Sequence, residues 1–470
     1  MVEHEGNGSG GTLSEDDIIY DWNAVNKVSP LSQGAILFMD ETLRDGLQSP
    51  SVVDPLVADK IMLVHTMNSL GIQHADIGLP GAGPRAQRHV EAIAQEIARS
   101  RLALKPAAAA RTLDKDIQPI IDISQKAGIE IEVLAFIGTS PIRRYVEEWD
   151  TYKMYKLVRE SIRMARSYNL PVCFVTEDTT RAKPDMLYPL YHVAIEAGAE
   201  RICLCDTVGH ATPDGLKNLI NFTRNIIAGM GKNIGLDWHG HNDRGLGMVN
   251  TIHAIEAGIS RVHGTALGIG ERCGNAPMDQ ILVNLKLLGA IDNDLSSLLL
   301  YCKQAALATR FRIPPNYPVV GPDAFRTSTG VHAAAILKAR RAGAAWLADR
   351  IYSGIPAGMF GLTQQVEVSH MSGDSNATYW LEEHGVVPEP DLVHEIMDVA
   401  KQGDRVLDDL EIQFIINRWR LRKGADLQAA RAGGAAARPD RTLEKVDGPA
   451  EAADGPAGNV DGPASNGERR

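Results

Sequence analysis

The chain has 470 residues, of which 44% are hydrophobic and 23% are charged, as is usual for an ordinary globular protein. Its formal net charge of -11 argues against a nucleic-acid-binding surface, because no long run of Lys or Arg offsets it. No apolar run has membrane-spanning length, and the first residues do not resemble a signal peptide. The five cysteines show no C-x-x-C spacing and predict reduced thiols. We therefore expect a cytoplasmic protein with no nucleic-acid or membrane partner.

The two ends of the chain differ in composition from its middle. Residues 1–30 are largely polar, begin with a Gly/Ser-rich stretch and predict a flexible leader. Residues 424–470 are rich in Ala, Gly, Pro and charge, and the unit D-G-P-A occurs at Asp447, Asp454 and Asp461. Such a segment cannot bury enough apolar surface to offset its ordering entropy. We therefore expect a disordered tail from residue 424 onward.

Short apolar stretches alternate with helical ones through the first part of the chain. The predicted strands lie at 35–40, 74–79, 104–110, 129–137, 172–176, 201–206, 234–239 and 261–266. Helical stretches between them include 90–101, 156–167, 186–197, 216–228 and 246–257. Eight such repeats predict an α/β fold, a (β/α)8 TIM barrel over residues 31–290. An open doubly wound sheet is the alternative, but no G-x-G-x-x-G follows the first strand.

A second, smaller domain is predicted after the barrel. Helical stretches at 298–309, 392–406 and 408–422 flank a region punctuated by Gly and Pro. A further helical stretch at 281–288 precedes them. We expect a mostly helical lid domain over residues 291–423.

The strongest local motif is H-G-H-N-D, which begins at the end of the seventh predicted strand. Side chains two residues apart on a strand point to the same face, so His239 and His241 can bind one ion above the barrel. Imidazole suits a borderline divalent metal, and a carboxylate would complete a set with open positions for substrate. A pair of half-buried histidines is the alternative. The position on the face that carries catalytic residues in such barrels favours the metal site.

Two further segments converge on the same face. The segment D-E-T-L-R-D-G-L-Q-S-P at residues 40–50 follows the first strand, which adjoins the eighth in a closed barrel. Asp45 can reach the metal from it, and Arg44 can stabilise negative charge on a reacting carbonyl oxygen. Taken alone, these two residues would predict only a surface ion pair. After strand eight, the glycines of G-I-G-E-R-C-G-N permit close approach to a ligand, and Asn275 offers a polar amide.

Together these segments resemble a family of metal-dependent TIM-barrel acyltransferases that includes 2-isopropylmalate, homocitrate and citramalate synthases. Further matches lie at residues 139–141, 177–181, 206–209 and 328–332, and the resemblance covers roughly residues 36–421. The chain is most similar to a short isopropylmalate synthase without the C-terminal regulatory domain.

The resemblance implies a ligand set and two substrates. Asp45, His239 and His241 would bind Mg²⁺, Mn²⁺ or Zn²⁺, with Asn275 close to the ion. Acetyl-CoA would be the co-substrate and a 2-oxo acid the acceptor. Arg44 would polarise the ketone oxygen of the acceptor.

The same resemblance assigns roles around the reacting atoms. Glu177 would support Arg44, and the substrate would be bound by Thr207, Gln48 and Arg181. In the lid, His332 would take part in acid–base chemistry and Tyr352 would donate a hydrogen bond. Lids of this family often reach the site of the other subunit, which implies a homodimer with lid exchange.

These residue types fit a Claisen-type condensation. A 2-oxo acid can chelate the ion through its carboxylate and ketone oxygens. A base must remove a proton from the acetyl methyl group; His332 is the first candidate, with Glu177 or a water as the alternative. The enolate then attacks the ketone, and thioester hydrolysis releases CoA.

Three departures from the family pattern bear on substrate choice. Leu47 stands where the family usually has Glu, and Leu134 where isopropylmalate synthases tend to carry His, so we expect a less polar mouth. Asp45 stands where homocitrate synthases usually carry Glu, which favours 2-oxoisovalerate as the acceptor. The lid segment at residues 368–374 is also less basic than usual.

Several other interpretations stay open at this stage. Cys273 invites comparison with hydroxymethylglutaryl-CoA lyases, which place a cysteine in a glycine-rich loop, although Glu271 and Arg272 match the synthases. A metal-dependent lyase or aldolase on the same barrel is the first alternative. A two-His, one-carboxylate oxygenase and a non-catalytic metabolite sensor are the others.

Overall fold

In the computed structural model, residues 18–25, 31 and 35–435 are described. Most of the predicted leader and the D-G-P-A repeats lie outside these residues. The described chain divides into two compact units, one ending at Leu407 and one beginning at Asp408.

Eight parallel strands close into a barrel in chain order, and β1 pairs with both β2 and β8. The predicted TIM barrel is therefore confirmed, and the open doubly wound sheet is wrong. Each predicted strand overlaps an observed one, although the second ends three residues earlier than predicted. The strands are β1 (Leu37–Asp40), β2 (His74–Asp76), β3 (Lys105–Arg111), β4 (Glu132–Gly138), β5 (Val172–Glu177), β6 (Arg201–Asp206), β7 (Gly235–Gly240) and β8 (Arg261–Gly264).

The barrel strands are apolar on both faces because both faces are buried. Along β3, Ala107 and Ala109 point to the barrel interior, where they pack with Met39, Leu134 and other side chains. The alternate residues, such as Ala108, belong to the larger core between the strands and the helices. A side-chain period of two thus serves two cores, which explains why these strands read as nearly continuous apolar runs.

Helices surround the barrel, and polar side chains cap the N-termini of several of them. Asp150 caps one of them by accepting a 2.7 Å hydrogen bond from the backbone N–H of Lys153. Thr212 caps another through Gly215 at 3.3 Å. The helices are α1 (Val57–Ser69), α2 (Pro84–Ser100), α3 (Asp114–Ala127), α4 (Pro141–Val146), α5 (Thr151–Ser167), α6 (Pro184–Ala197), α7 (Pro213–Gly229), α8 (Gly247–Glu256) and α9 (Met278–Leu287).

The region after the barrel, which was predicted to be a lid, has a small apolar core of its own. That core includes Ala333, Ile336, Val366 and Tyr379. Helix α10 (Leu298–Thr309), which the sequence assigned to the lid, instead contributes to the barrel core, because its apolar face packs beside α1. The lid elements are β9 (Arg326–Thr327), α11 (Gly330–Arg341), α12 (Ala345–Ala348), β10 (Gln365–Val366), α13 (Asp374–Glu383) and α14 (Pro390–Gln402).

The second unit contains helix α15, Asp409–Ala435. The predicted boundary of the disordered tail at residue 424 therefore falls inside a helix. The reason is the alanine content of residues 425–435, since Ala has the highest intrinsic helix propensity. Among the described residues, no helix combines the length and the apolar character that crossing a membrane would require.

Candidate active site

A cavity of about 260 Å³ opens at the carboxyl ends of the barrel strands. This is the face on which TIM-barrel enzymes carry their catalytic groups. Seven of the predicted site residues line it, from four different strand ends. The lining residues are Glu41, Arg44, Asp45, Gln48, Ala109, Leu134, Phe136, Val175, Glu177, Cys203, Cys205, Thr207, His239, His241, His263 and Glu271.

Asp45, His239 and His241 converge at one point of this cavity. Oδ2 of Asp45 lies 3.5 Å from Nε2 of His241 and 3.9 Å from Nε2 of His239. All three side chains are buried, and their ligand-capable atoms lie within 4.8 Å of one another. Two imidazoles and a carboxylate at these separations fit a single divalent cation.

The polar atoms around this point are suited to a bound cation. Asn275 donates a 2.6 Å hydrogen bond from Nδ2 to Oδ2 of Asp45. In the described part of the chain, Oδ1 of Asn275 and Nδ1 of His241 are buried without a hydrogen-bond partner. Burial lowers the pKa of His241 to about 4, so its ring is neutral, which is the form that binds a metal. A bound ion, or a water on that ion, would supply the missing partner of Oδ1 of Asn275.

Arg44 is held over the same point by three carboxylates. Its Nε donates to Asp76 at 2.7 Å, its Nη1 to Asp45 at 2.5 Å and its Nη2 to Glu41 at 3.2 Å. The predicted support from Glu177 is not what the structure shows, because Glu177 lies 4.0 Å from Arg143 instead. The three contacts engage all three guanidinium nitrogens and fix their orientation, and one N–H remains on each of Nη1 and Nη2.

Glu41 also contacts two histidines. Its Oε2 accepts from Nδ1 of His239 at 2.6 Å, and its Oε1 accepts from Nδ1 of His263 at 3.0 Å. Burial opposes a charge on His239, yet the Glu41 carboxylate raises the pKa of His239 to about 10. A cation that bound at its Nε2 would therefore have to displace a proton.

These observations can be set beside known proteins. Residues 35–302, which span the whole barrel, match the HMGL-like family. The chain belongs to this family. It is 31% identical over 381 residues to a probable 2-isopropylmalate synthase of Ignicoccus hospitalis, which covers 80% of this chain and 90% of that protein. It is 29% identical over 374 residues to the homocitrate synthase AksA of Methanopyrus kandleri, which covers 79% and 88%.

The barrel of this HMGL-like protein is also found in solved structures. The crystal structure of hydroxymethylglutaryl-CoA lyase from Pseudomonas aeruginosa superposes with a TM-score of 0.50 and 19% identity, over 58% of this chain and 92% of that one. At this identity the likeness concerns the fold alone.

The glycine-rich loop of this HMGL-like chain packs tightly against itself. A side chain at Gly274, whose φ is +88°, would meet the carbonyl oxygen of Gly268 at 1.9 Å. A side chain at Gly270 would meet Oδ1 of Asn275 at 2.0 Å. The glycines are therefore required to bring Asn275 to Asp45.

Three further predicted site residues differ in whether they line the cavity. Glu177 and Thr207 line the cavity, and burial raises the pKa of Glu177. Oγ1 of Thr207 accepts a 2.8 Å hydrogen bond from the backbone N–H of Asp178. Arg181 forms an ion pair with Asp178 at 2.7 Å and is not among the residues that line the cavity.

The lid residues do not reach this cavity within one chain. The rings of His332 and Tyr352 stack on each other with centroids 3.8 Å apart, and neither lines the cavity. Leu47 was expected at the mouth but lines a neighbouring cavity, because the turn after β1 points it toward α2. Cys273 is exposed and does not line the cavity either.

One wall of the cavity is apolar. Leu134, Phe136 and Val175 line it together with Ala109 and Cys203. The predicted effect of Leu134 on the polarity of the mouth thus agrees with its position.

Sequence reasoning missed three residues of the site. It gave no role to Glu41, although the residue stands inside the first motif, and it did not single out Asp76 or His263. All three are polar residues at or next to the ends of strands, and all are buried except for small fractions of their surface. A polar residue at the end of a barrel strand is itself an indication of a site residue, and it could have identified all three.

Proposed function

We propose that this chain condenses acetyl-CoA with a 2-oxo acid that carries an aliphatic side chain, best 2-oxoisovalerate, to give a hydroxylated acid such as 2-isopropylmalate. The observation that carries this proposal is the position of Arg44 beside Asp45, His239 and His241, with an apolar wall in the same cavity. The relatives named as 2-isopropylmalate and homocitrate synthases support the same reaction class, transfer of an acetyl group.

Asp45, His239 and His241 would hold the divalent cation, with Asn275 next to it. When bound, such an ion supplies Lewis-acid activation of the ketone and carboxylate oxygens of a 2-oxo acid. Arg44 donates to the ketone oxygen as it gains negative charge. Because three carboxylates already orient its guanidinium, little reorganisation is needed when the alkoxide forms.

A base must take the proton from the acetyl methyl group. We infer that the lid of a second copy brings His332 and Tyr352 to the cavity, since within one chain both lie outside it. Homodimer formation with lid exchange thus stays a prediction. Glu177 is the competing base, because it lines the cavity and its raised pKa brings it closer to the range in which a carboxylate can act as a base.

The wall of the cavity favours an aliphatic acceptor. Of the described residues that line it, Arg44 is the one with a Lys or Arg side chain, and it is engaged beside Asp45. The second carboxylate of 2-oxoglutarate would face Leu134, Phe136 and Val175 without a cation, and burying an unpaired charge is costly. A branched alkyl group gains free energy from the same contact, about 0.8 kcal/mol per methylene.

The test is CoA release from acetyl-CoA with Mg²⁺, Mn²⁺ or Zn²⁺ across pyruvate, oxaloacetate, 2-oxoglutarate, 2-oxobutyrate and 2-oxoisovalerate. We expect the highest kcat/KM with 2-oxoisovalerate. A preference for 2-oxoglutarate or pyruvate would instead indicate a homocitrate or citramalate synthase. Cleavage of a hydroxyacyl-CoA with no condensation would contradict the proposal and indicate a lyase.

A further inference from the structure

A chain of buried hydrogen bonds runs inside the barrel and ends on His239. Arg261 donates from Nε to Oδ2 of Asp237 at 2.8 Å, and the same oxygen faces Nε2 of His263 at 3.0 Å. His263 continues to Glu41 at 3.0 Å, and Glu41 to His239 at 2.6 Å. Every member is at most 7% exposed, so solvent does not compete for these bonds.

The residues in the middle of this hydrogen-bond series determine which atom donates and which accepts in each bond. Both nitrogens of His263 face carboxylate oxygens, so the ring donates from both sides and balances the charge of Glu41. Asp237 is committed as an acceptor because it also accepts from Arg201 at 2.6 Å and from Arg261. Glu41 is therefore held with its second oxygen pointing at His239.

The last hydrogen bond of this series, between His239 and Glu41, determines which nitrogen of His239 faces the cation. Because Oε2 of Glu41 accepts from Nδ1–H, the proton that His239 gives up is the one on Nε2, and the neutral ring then presents its free electron pair at the atom that faces Asp45. A carboxylate behind a metal-bound histidine fixes the tautomer and the ring orientation and makes the imidazole more basic. We propose that Glu41, oriented by His263, is the positioning residue of the metal ligand His239. This inference rests on the metal site of the proposed function.

Glu41, His239 and His263 are also close enough to hold an ion themselves. The contacts favour a hydrogen-bonded chain instead, because each oxygen of Glu41 already accepts from one Nδ1 atom at hydrogen-bond distance. An ion there would have to displace both bonds. The experiment below separates these two arrangements.

The experiment is a titration of the metal-free full chain with Zn²⁺, followed by calorimetry, and with Co²⁺, followed by its visible absorption. The variants are Glu41→Gln, His263→Gln and the double variant. Glu96→Gln is the control, since it neutralises a buried carboxylate that also contacts a histidine, His65 at 2.9 Å, but lies outside the cavity. We expect Glu41→Gln to weaken Zn²⁺ binding about 10- to 100-fold and the control to change it less than about twofold.

Three results distinguish the proposal from its alternatives. In support of it, the Co²⁺ spectrum at saturation stays unchanged in Glu41→Gln, and the double variant loses less affinity than the product of the two single losses. A changed spectrum would show that Glu41 is itself a ligand and would overturn the inference. So would an unchanged Zn²⁺ affinity in Glu41→Gln.

Folding and the proposed function are controlled separately. If Glu41→Gln does not fold, judged by circular dichroism, Glu41→Asp keeps the charge but withdraws it from His239, and the same loss of affinity is expected. Failure of the wild-type chain to bind any divalent ion would overturn the proposed function as well. Tight wild-type binding with unaffected variants would overturn this inference alone.

Discussion

Oδ2 of Asp45 accepts a 2.6 Å hydrogen bond from Nδ2 of Asn275, a residue 230 positions away in the chain. The same oxygen lies 3.5 Å from Nε2 of His241. One carboxylate oxygen thus joins the loop after β1 to the segments that follow β7 and β8. In the proposed site, the negative charge of this oxygen would contribute most of the attraction for a divalent cation.

Asp45→Asn tests that charge. The amide keeps the size of the side chain but supplies a neutral oxygen, so we expect divalent-ion affinity to fall at least about 100-fold, equivalent to about 2.7 kcal/mol. Calorimetric titration with Zn²⁺ measures it, and Asp185→Asn, exposed at the start of α6, is the matched control. Near wild-type affinity in Asp45→Asn would place the ion elsewhere.

Arg44→Lys tests the donor to the ketone oxygen. A lysine ammonium cannot bond Asp76, Asp45 and Glu41 at once in one plane, so its position over the reacting oxygen is lost. We expect kcat to fall about 10²- to 10³-fold. The measurement is steady-state CoA release at saturating substrate.

The control for that change is Arg99→Lys, whose parent residue lies near the end of α2 and pairs with Glu96. It should leave kcat unchanged. If Arg44→Lys turned over at the wild-type rate, Arg44 would not be the group that stabilises the alkoxide.

Leu134→Ala tests the apolar wall. Shortening this side chain enlarges the cavity where the acceptor's alkyl group is expected to lie. We expect the ratio of kcat/KM for 4-methyl-2-oxopentanoate to that for 2-oxoisovalerate to rise about 10- to 100-fold. Leu134→Met, which nearly conserves volume, should leave the ratio close to that of the wild type. An equal ratio in Leu134→Ala would place the alkyl group against another wall.

Asp40→Asn tests a buried carboxyl group below the site. Burial raises the pKa of Asp40 to about 6, although Thr42 and Tyr301 donate hydrogen bonds to it. The folded chain then holds this proton more tightly than the unfolded chain. The resulting stability is present below about pH 4 and is lost as the pH rises through about 6.

The variant removes this titration. The free energy of unfolding of Asp40→Asn, relative to wild type, should therefore increase by about 1 kcal/mol between pH 5 and pH 7. Urea unfolding at both pH values measures it. A pH-independent difference between the two proteins would mean that Asp40 does not titrate in this range.

The barrel could be predicted from the sequence because its strands are buried on both faces and so stand out as apolar runs. His239 and His241 were predictable for a similar reason, since their spacing places both on one face at a strand end. Both features are visible within a few neighbouring residues, so they do not depend on knowing the tertiary structure.

The residues that contact them were harder to predict from the sequence. His263 lies level with Met39 across the β1–β8 pairing, and only that register brings it to Glu41. Asp76 reaches Arg44 from a strand 32 positions along the chain. Leu47 shows the converse: its motif was found, but the direction of its side chain depends on the turn after β1.

The pairing of β1 with β8 has a consequence for synthesis of the chain. Asp45 emerges from the ribosome early, whereas His239, His241 and Asn275 emerge about 200 residues later, at roughly 5–20 residues per second. The proposed ion site is complete only when the last strand has closed against the first. A cation that binds only the closed form shifts the equilibrium toward it, so metal would selectively protect finished barrels from proteolysis.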